Sequence, residues 1–258
     1  MTSSSMSAEM RSLVCIVAVT AAASCGLAGC EVAFPVDDGV SGGTRGPCGE
    51  SHRFCADFDD GPLTRHPEYA PFSQSGGSLL VDDQDARSPP GALVATCGDL
   101  PVSDKPAFAF IGPKLEGPLT NMRLAFDMKI DVRGSAGNPI ATVGVLDGSN
   151  HLYNVQLSVD GDGHWIIGEY RPTTMPMLFS HPSDTLAGSA WMKVLFEVHV
   201  GGGDDYAAVT VDGRVVIAHA KLQPSVTDGA PVMAIGFTSL YGPSTPWTVR
   251  FDDVTFDD

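Results

Sequence analysis

The sequence has little positive charge: 15 lysines and arginines stand against 31 acidic residues in 258, a formal net charge of −16. Nucleic acid needs a basic footprint, so this balance excludes it as a partner. It also argues against adhesion of the protein surface to anionic headgroups. Helical periodicity is missing from Gly49 onward, where no apolar pattern recurs every 3.6 residues over the length of a helix. Glutamate is scarce there as well. Only Glu50, Glu68, Glu116, Glu169 and Glu197 occur, and none has an acidic residue two positions away. That removes a Glu-x-Asp-x-Glu strand, which would set two carboxyl groups on one face for glycoside hydrolysis. There is no Gly-x-Ser-x-Gly elbow to support a Ser-His-Asp constellation. The seven histidines are scattered, and no Cys/His cluster at ligand spacing points to zinc. What is present is a hydrophobic content of 43%, ample for a core, in a length that fits one large β domain or two small ones.

The first residues read as an export signal. Arg11 precedes an uncharged stretch from Ser12 to Gly29, centred on "LVCIVAVTAAA" and ending in small residues. Its close, "LAGC" (Leu27–Cys30), resembles the bacterial lipobox. The resemblance implies cleavage of residues 1–29 and lipidation of Cys30, whose acyl chains anchor the protein in a membrane at about 0.8 kcal/mol per buried methylene. An ordinary signal peptide cut near the same point and an uncleaved anchor are the alternatives. Glu31 follows without an obvious retention aspartate, so the expected destination is the bacterial outer membrane, on its periplasmic or surface face. Residues 30–48, rich in glycine and proline, read as a flexible tether, and 49–258 as one domain. With Cys30 lipidated, Cys48, Cys55 and Cys97 remain in an oxidising compartment, and three thiols cannot all pair. Cys48–Cys55 is the preferred disulfide; Cys97 bonded to either is the rival.

Alternation with period two dominates the domain. In Met122–Val132, Met122, Leu124, Phe126, Met128, Ile130 and Val132 point one way, and Arg123, Asp127, Lys129 and Asp131 the other. Trp191–Val200 repeats the pattern, and Tyr206–Ala220 reads as a hairpin turning at Asp212-Gly213. Further strands are expected at Arg53–Asp57, Gly77–Val81, Ala92–Thr96, Ala107–Ile111, Ile140–Leu146, Leu152–Val159, His164–Arg171, Val232–Thr238 and Thr248–Phe256. About a dozen strands without a helix predict an all-β, two-sheet antiparallel sandwich.

The order of local motifs carries a resemblance. "FCADFDDG" (Phe54–Gly61) opens the domain, followed by "SPPGALVA", "RLAFDMKIDV", "AWMKVLFEVHV" leading into "VTVDGRVV", then "IGF" and the closing "VRFDDVTFDD". This series resembles a concanavalin A-like lectin/glucanase jelly roll, in the style of the laminin G-like domains of bacterial surface lipoproteins. The resemblance implies carbohydrate recognition, or hydrolysis or elimination on polysaccharides. It also implies that the first and last strands lie side by side near a sheet edge, making the two aspartate-rich segments neighbours. Related jelly rolls often hold one Ca²⁺ on the aspartate that opens the last strand, which makes Asp252 the implied ligand. The strand motifs of jelly-roll alginate lyases are missing. "DGDG" (Asp160–Gly163) is too short for a calcium loop and reads as a hairpin turn. Alternation in the last strand puts Asp252, Val254 and Phe256 on one face and Phe251, Asp253 and Thr255 on the other.

A candidate binding face comes from "LYNVQLSVDGDGHWIIGEYR", a hairpin with its turn near Gly161-Asp162. With a loop of two or four residues, Val159 pairs with His164 and Ser158 with Trp165. One face then carries Asn154, Gln156, Ser158, Trp165, Glu169 and Arg171, amides and charges beside one aromatic on which a sugar ring can stack. A loop of three residues breaks that register. Trp247, in the Gly/Pro-rich "YGPSTPWT", is either a rim aromatic or a plug beneath the sandwich. The expected function is that of an envelope lipoprotein binding a glycan or another envelope ligand without catalysis. The alternatives are a polysaccharide-degrading glycosidase or lyase with a divergent site, and a structural protein binding other proteins.

Overall fold

The computed structural model describes residues 48, 52–101, 106–117, 120–146, 152–170, 178–180, 183, 187–223, 229–240 and 242–258. Cys30 and Arg171 lie outside them. Fifteen strands follow one another: β1 (Phe54–Ala56), β2 (Pro71–Gln74), β3 (Gly77–Asp82), β4 (Ala92–Cys97), β5 (Ala107–Ile111), β6 (Asn121–Val132), β7 (Asn138–Leu146), β8 (Leu152–Val159), β9 (Trp165–Tyr170), β10 (Leu178–Ser180), β11 (Met192–His199), β12 (Tyr206–Val211), β13 (Arg214–Lys221), β14 (Ala230–Leu240) and β15 (Trp247–Asp257). β2 and β10 carry no clear alternation and were not expected from the sequence. Two single-turn 3₁₀ helices, Leu63–Arg65 and Pro67–Tyr69, follow β1. No helix among the described residues is long and apolar enough to cross a membrane.

The strands form a two-sheet antiparallel jelly-roll sandwich. One sheet runs β13-β12-β11-β6-β15-β4-β3, with β1 added beside β15; the other runs β10-β9-β8-β7-β14-β5-β2. Long crossovers put β15 between β6 and β4, and β14 between β7 and β5, so strands distant in sequence lock the sheets together. The apolar rows of β6 and β11 face the core as expected: Met122, Leu124, Phe126, Met128 and Ile130 are at most 3% exposed, opposite Val194, Phe196 and Val198 at 0%. Val132 is a correction, since the row ends before it and it stands 45% exposed. Phe126, Phe196, Phe237, Phe251 and Phe256 anchor the interior, each contributing about 2–3 kcal/mol by burial. Trp247 is a plug, not a rim aromatic: fully buried, it lies where a side chain on Gly134 would stand, 2.2 Å from its Nε1.

β1 does pair with β15, Phe54 opposite Phe256 and Ala56 opposite Val254. The two aspartate-rich segments are thus neighbours, but at the middle of the sheet rather than its edge. β4 stops pairing with β15 at Phe251, and β1 takes the position that it vacates. Cys48 and Cys55 form the disulfide, with a Cα–Cα distance of 5.4 Å, and Cys97 is free and buried. Burial pushes the Cys97 thiol up from its ordinary range.

Candidate functional site

The face turned away from the core on the seven-stranded sheet holds part of the expected site. The β8–β9 loop, Asp160–His164, has five residues, so Val159 pairs with Trp165 rather than with His164. Asp160 shapes it, accepting the N–H groups of Asp162 (2.9 Å) and His164 (2.8 Å) on Oδ1. Asp160, Asp162 and His164 bring their ligand atoms within 4.8 Å of one another, but the bonds within the loop account for the arrangement.

That odd loop moves every β9 side chain to the opposite face from the one expected. Trp165 is fully buried in the core beside Val159 and cannot stack on a ligand. Glu169 is likewise turned to the core side, 6% exposed, where it accepts the hydroxyl of Tyr153 (3.1 Å) and the N–H of Gln223 (3.2 Å). The expected six-residue face is therefore wrong at Trp165 and Glu169, and Arg171 lies outside the described residues. The β8 half of that face stands: Asn154, Gln156 and Ser158 share the outer face, now with Ile166, Gly168 and Tyr170 opposite them on β9. Tyr170, half-buried beside Asn154, takes the place given to Trp165.

Neighbouring strands complete the surface. Thr142 of β7 pairs with Gln156, and its hydroxyl lies 3.1 Å from that of Thr238 on β14. Gly144 lies opposite Asn154, where a Cβ would sit 2.8 Å from the Asn154 Cβ. Beyond Gly236 of β14, β5 and β2 present Phe110, Phe108 and Phe72, half-buried and in mutual contact at centroid distances of 5.4–6.4 Å. The "AFAFI" strand is inverted relative to ordinary burial: its alanines, Ala107 and Ala109, are at 0% in the core, and its phenylalanines face out. That inversion was legible in the sequence and is the signal which could have located this wall.

The floor is buried and incompletely bonded. Asn154 is 3% exposed, Gln156 7%, Ser158 5% and Thr142 6%. Asn154 Oδ1 and Gln156 Oε1 have no hydrogen-bond partner. A buried acceptor left in that state costs about 1–3 kcal/mol. Both lie on β8, two residues apart and so about 7 Å from each other along the strand. The surface thus offers two acceptors in a low-dielectric floor between a phenylalanine wall and a tyrosine. A cleft of about 400 Å³ opens by Arg53, Lys114, Leu115 and Glu116, and the bridge of Lys114 to Val232 puts this lysine at the rim of the same face.

The closing aspartates form a different kind of site. Asp253 has a positive φ of 51°, and the β15–β6 register shifts between Asp252 and Thr255. This bulge breaks the expected alternation. Phe251, Val254 and Phe256 all turn inward, while Asp252 and Asp253 both reach the hydroxyl of Ser88, at 3.3 and 2.8 Å. Asp252, 0% exposed, also accepts the N–H groups of Arg87 (2.8 Å) and Ser88 (2.9 Å) on Oδ2 and of Asp253 (2.9 Å) on Oδ1. Calcium needs six to eight oxygen lone pairs converging on it. Here both carboxylate oxygens meet N–H donors, so these residues do not fit the ion; they fit a clasp that holds the β3–β4 loop to the last strand. Burial pushes the Asp252 carboxyl up to about 7; the N–H of Ser88 opposes the rise and the charge of Asp253 adds to it. An acidic cleft of about 360 Å³ lies nearby, but Asp59 accepts the N–H of Gly91, and Asp82 pairs with Arg250 at 2.6 Å.

No protein-family model matches the chain, and no curated protein matches it in sequence. Solved structures do match it in fold. An endo-β-1,4-glucuronan lyase from the fungus Trichoderma reesei superposes with a TM-score of 0.63 at 14% identity, over 80% of this chain and 95% of the lyase. The cellulose-induced protein Cip1 matches with a TM-score of 0.54 at 15% identity, over 79% of this chain and 96% of Cip1. A sialidase matches with a TM-score of 0.51 at 14% identity, over 80% of this chain but only 18% of the sialidase.

Proposed function

We propose that this chain is a lipid-anchored envelope protein whose sandwich binds a carbohydrate on the outer face of its seven-stranded sheet and does not cleave it. The observation that carries the reading is the pair of buried, unpartnered carbonyl oxygens on Asn154 and Gln156, beside half-buried Phe72, Phe108, Phe110 and Tyr170. Sugar hydroxyls satisfy such acceptors, and the C–H faces of pyranose rings pack on aromatic rings. That solved structures with this fold include a glucuronan lyase and a cellulose-induced protein supports carbohydrate as the ligand class. The reading without cleavage follows the sequence, which has no Glu-x-Asp-x-Glu strand for glycoside hydrolysis. Among the described residues of the floor there is no carboxylate, and Glu169 is turned to the core side.

The test is a glycan array probed with the full-length protein in mild detergent. Binding that falls about tenfold in Asn154→Leu, with an unchanged melting temperature, is the expected result. Release of reducing ends or of unsaturated uronates from any bound polysaccharide would replace binding with catalysis. The anchor at Cys30 is tested separately: Cys30→Ser should free the protein from outer membranes, and continued retention refutes lipidation there.

A further inference from the structure

If the outer face binds a glycan, the chemistry of its floor narrows the class of chain. The two atoms without partners are both carbonyl oxygens, Asn154 Oδ1 and Gln156 Oε1, on side chains 3% and 7% exposed. They call for donors. A sugar hydroxyl donates, whereas an ionised carboxylate only accepts, so a uronate whose carboxylate is placed here sets oxygen against oxygen where little water can screen it. The nearest polar neighbours do not reverse this, since the hydroxyls of Thr142 and Thr238 are engaged with each other at 3.1 Å. Among the described residues of this face the register assigns one charged side chain, Lys114, opposite Val232. It is exposed and stands three strand spacings from Asn154, about 14 Å. At that distance it can catch a charge at the rim but cannot neutralise one on the floor.

Two further features act in the same direction. Phe72, Phe108 and Phe110, packed edge to face or tilted on one another, form an apolar wall that suits C–H groups better than anions. The net charge of −16 repels a polyanion before it reaches the surface. We propose that the site takes an uncharged, hydroxyl-rich polysaccharide and turns away polyuronates, with Asn154 and Gln156 as the residues that set this preference.

The test is affinity electrophoresis of the full-length protein in gels containing neutral polysaccharides (β-glucan, xylan, mannan, galactan) or polyuronates (glucuronan, alginate, polygalacturonate). Retention by at least one neutral gel is expected, changing less than about twofold between ~20 mM and ~500 mM salt because no ion pair contributes. Gln156→Leu should weaken that retention about fivefold or more, the loss of one hydrogen bond. Gln156→Glu, which keeps an acceptor at the same place, should retain a neutral glycan. Retention by polyuronates alone, or retention that salt abolishes, overturns the neutral assignment and leaves glycan binding standing. Retention by no gel overturns glycan binding and this inference together. The wild-type comparison decides the matter even if a variant fails to fold.

Discussion

Replacing Asp252 by Asn should change how the stability of the domain depends on pH. The carboxyl is 0% exposed and is pushed up to about 7 from an ordinary 3.8, by burial first and by the neighbouring charge of Asp253. A carboxyl whose pKa is higher in the folded than in the unfolded state stabilises most below its unfolded value. That contribution drains away as pH rises through the folded one. The window is therefore from about pH 4 to about pH 7, and unfolding free energy should fall across it as pH increases. At 1.36 kcal/mol per unit the full effect is about 4 kcal/mol. The backbone donors that favour the ionised form are already counted in that value, so about 4 kcal/mol is the expected effect. In the variant, the amide oxygen still faces the N–H groups of Arg87 and Ser88, but its NH₂ meets the N–H of Asp253, which costs about 1–3 kcal/mol at every pH. The wild type should therefore be clearly the more stable at pH 5, and the gap should close or reverse at pH 8. Urea unfolding followed by the fluorescence of buried Trp165 and Trp247 measures this, and subtracting one curve from the other removes groups common to both. A difference independent of pH would refute the reasoning. So would a calcium-induced rise in melting temperature that Asp252→Asn abolishes, since it would make the clasp a cation site.

Other outcomes follow from the same structure. Trp165→Ala should cost about 3–5 kcal/mol, as truncation of a fully buried ring does, whereas Trp165→Phe should leave glycan binding intact because the indole does not reach the ligand face. Phe110→Ala should weaken glycan retention about tenfold with little change in melting temperature, because the ring is half-buried on the outer face. Equal losses of binding and stability would assign it to the core instead. Cys55→Ser should cost about 2.5 kcal/mol, the entropy of a loop whose ends are 7 residues apart, read by urea unfolding with and without reductant. Cys97 should resist iodoacetamide in the folded protein and react once urea unfolds it; rapid labelling of the native state would contradict its burial.

The sandwich was legible because its signal is redundant. Each long strand repeats the same inward and outward choice five or six times, so Met122–Ile130 and Met192–Val198 declare a buried face whatever happens at their ends. The site was half legible because it depends on single residues that change parity. A loop of five residues instead of four carried Trp165 and Glu169 to the core and brought Tyr170 to the outer face. A bulge at Asp253 brought together two aspartates that strict alternation sets apart. Neither device has a composition signal: "DGDGH" serves loops of either parity, and a non-glycine residue at positive φ gives no warning in a strand. Phe72 escaped notice for another reason. It sits on β2, a short edge strand with only Ser73 and Gln74 beyond it, too brief to show a period.

The case for a binding face rests finally on where the structure departs from what stability alone favours. Two buried carbonyls without partners cost about 1–3 kcal/mol each, and Phe108 and Phe110, with Phe72 beside them, forgo burial that the alanines of β5 receive. Buried polar atoms without partners occur elsewhere too, on Arg133, Asn138, Trp165 and Trp247, so the two carbonyls carry meaning only together with the rings. Here they share one face of one sheet, separated by Gly144, Ala234 and Gly236, whose small side chains leave room between the amides and the rings. Folding gains nothing from that arrangement, whereas a hydroxyl-bearing chain laid across β8, β7, β14 and β5 supplies both the missing donors and the missing cover. Filling the trough therefore separates the two causes: Ala234→Leu should keep or raise the melting temperature while abolishing glycan retention, and a variant that loses stability yet still binds would show that the trough serves the core.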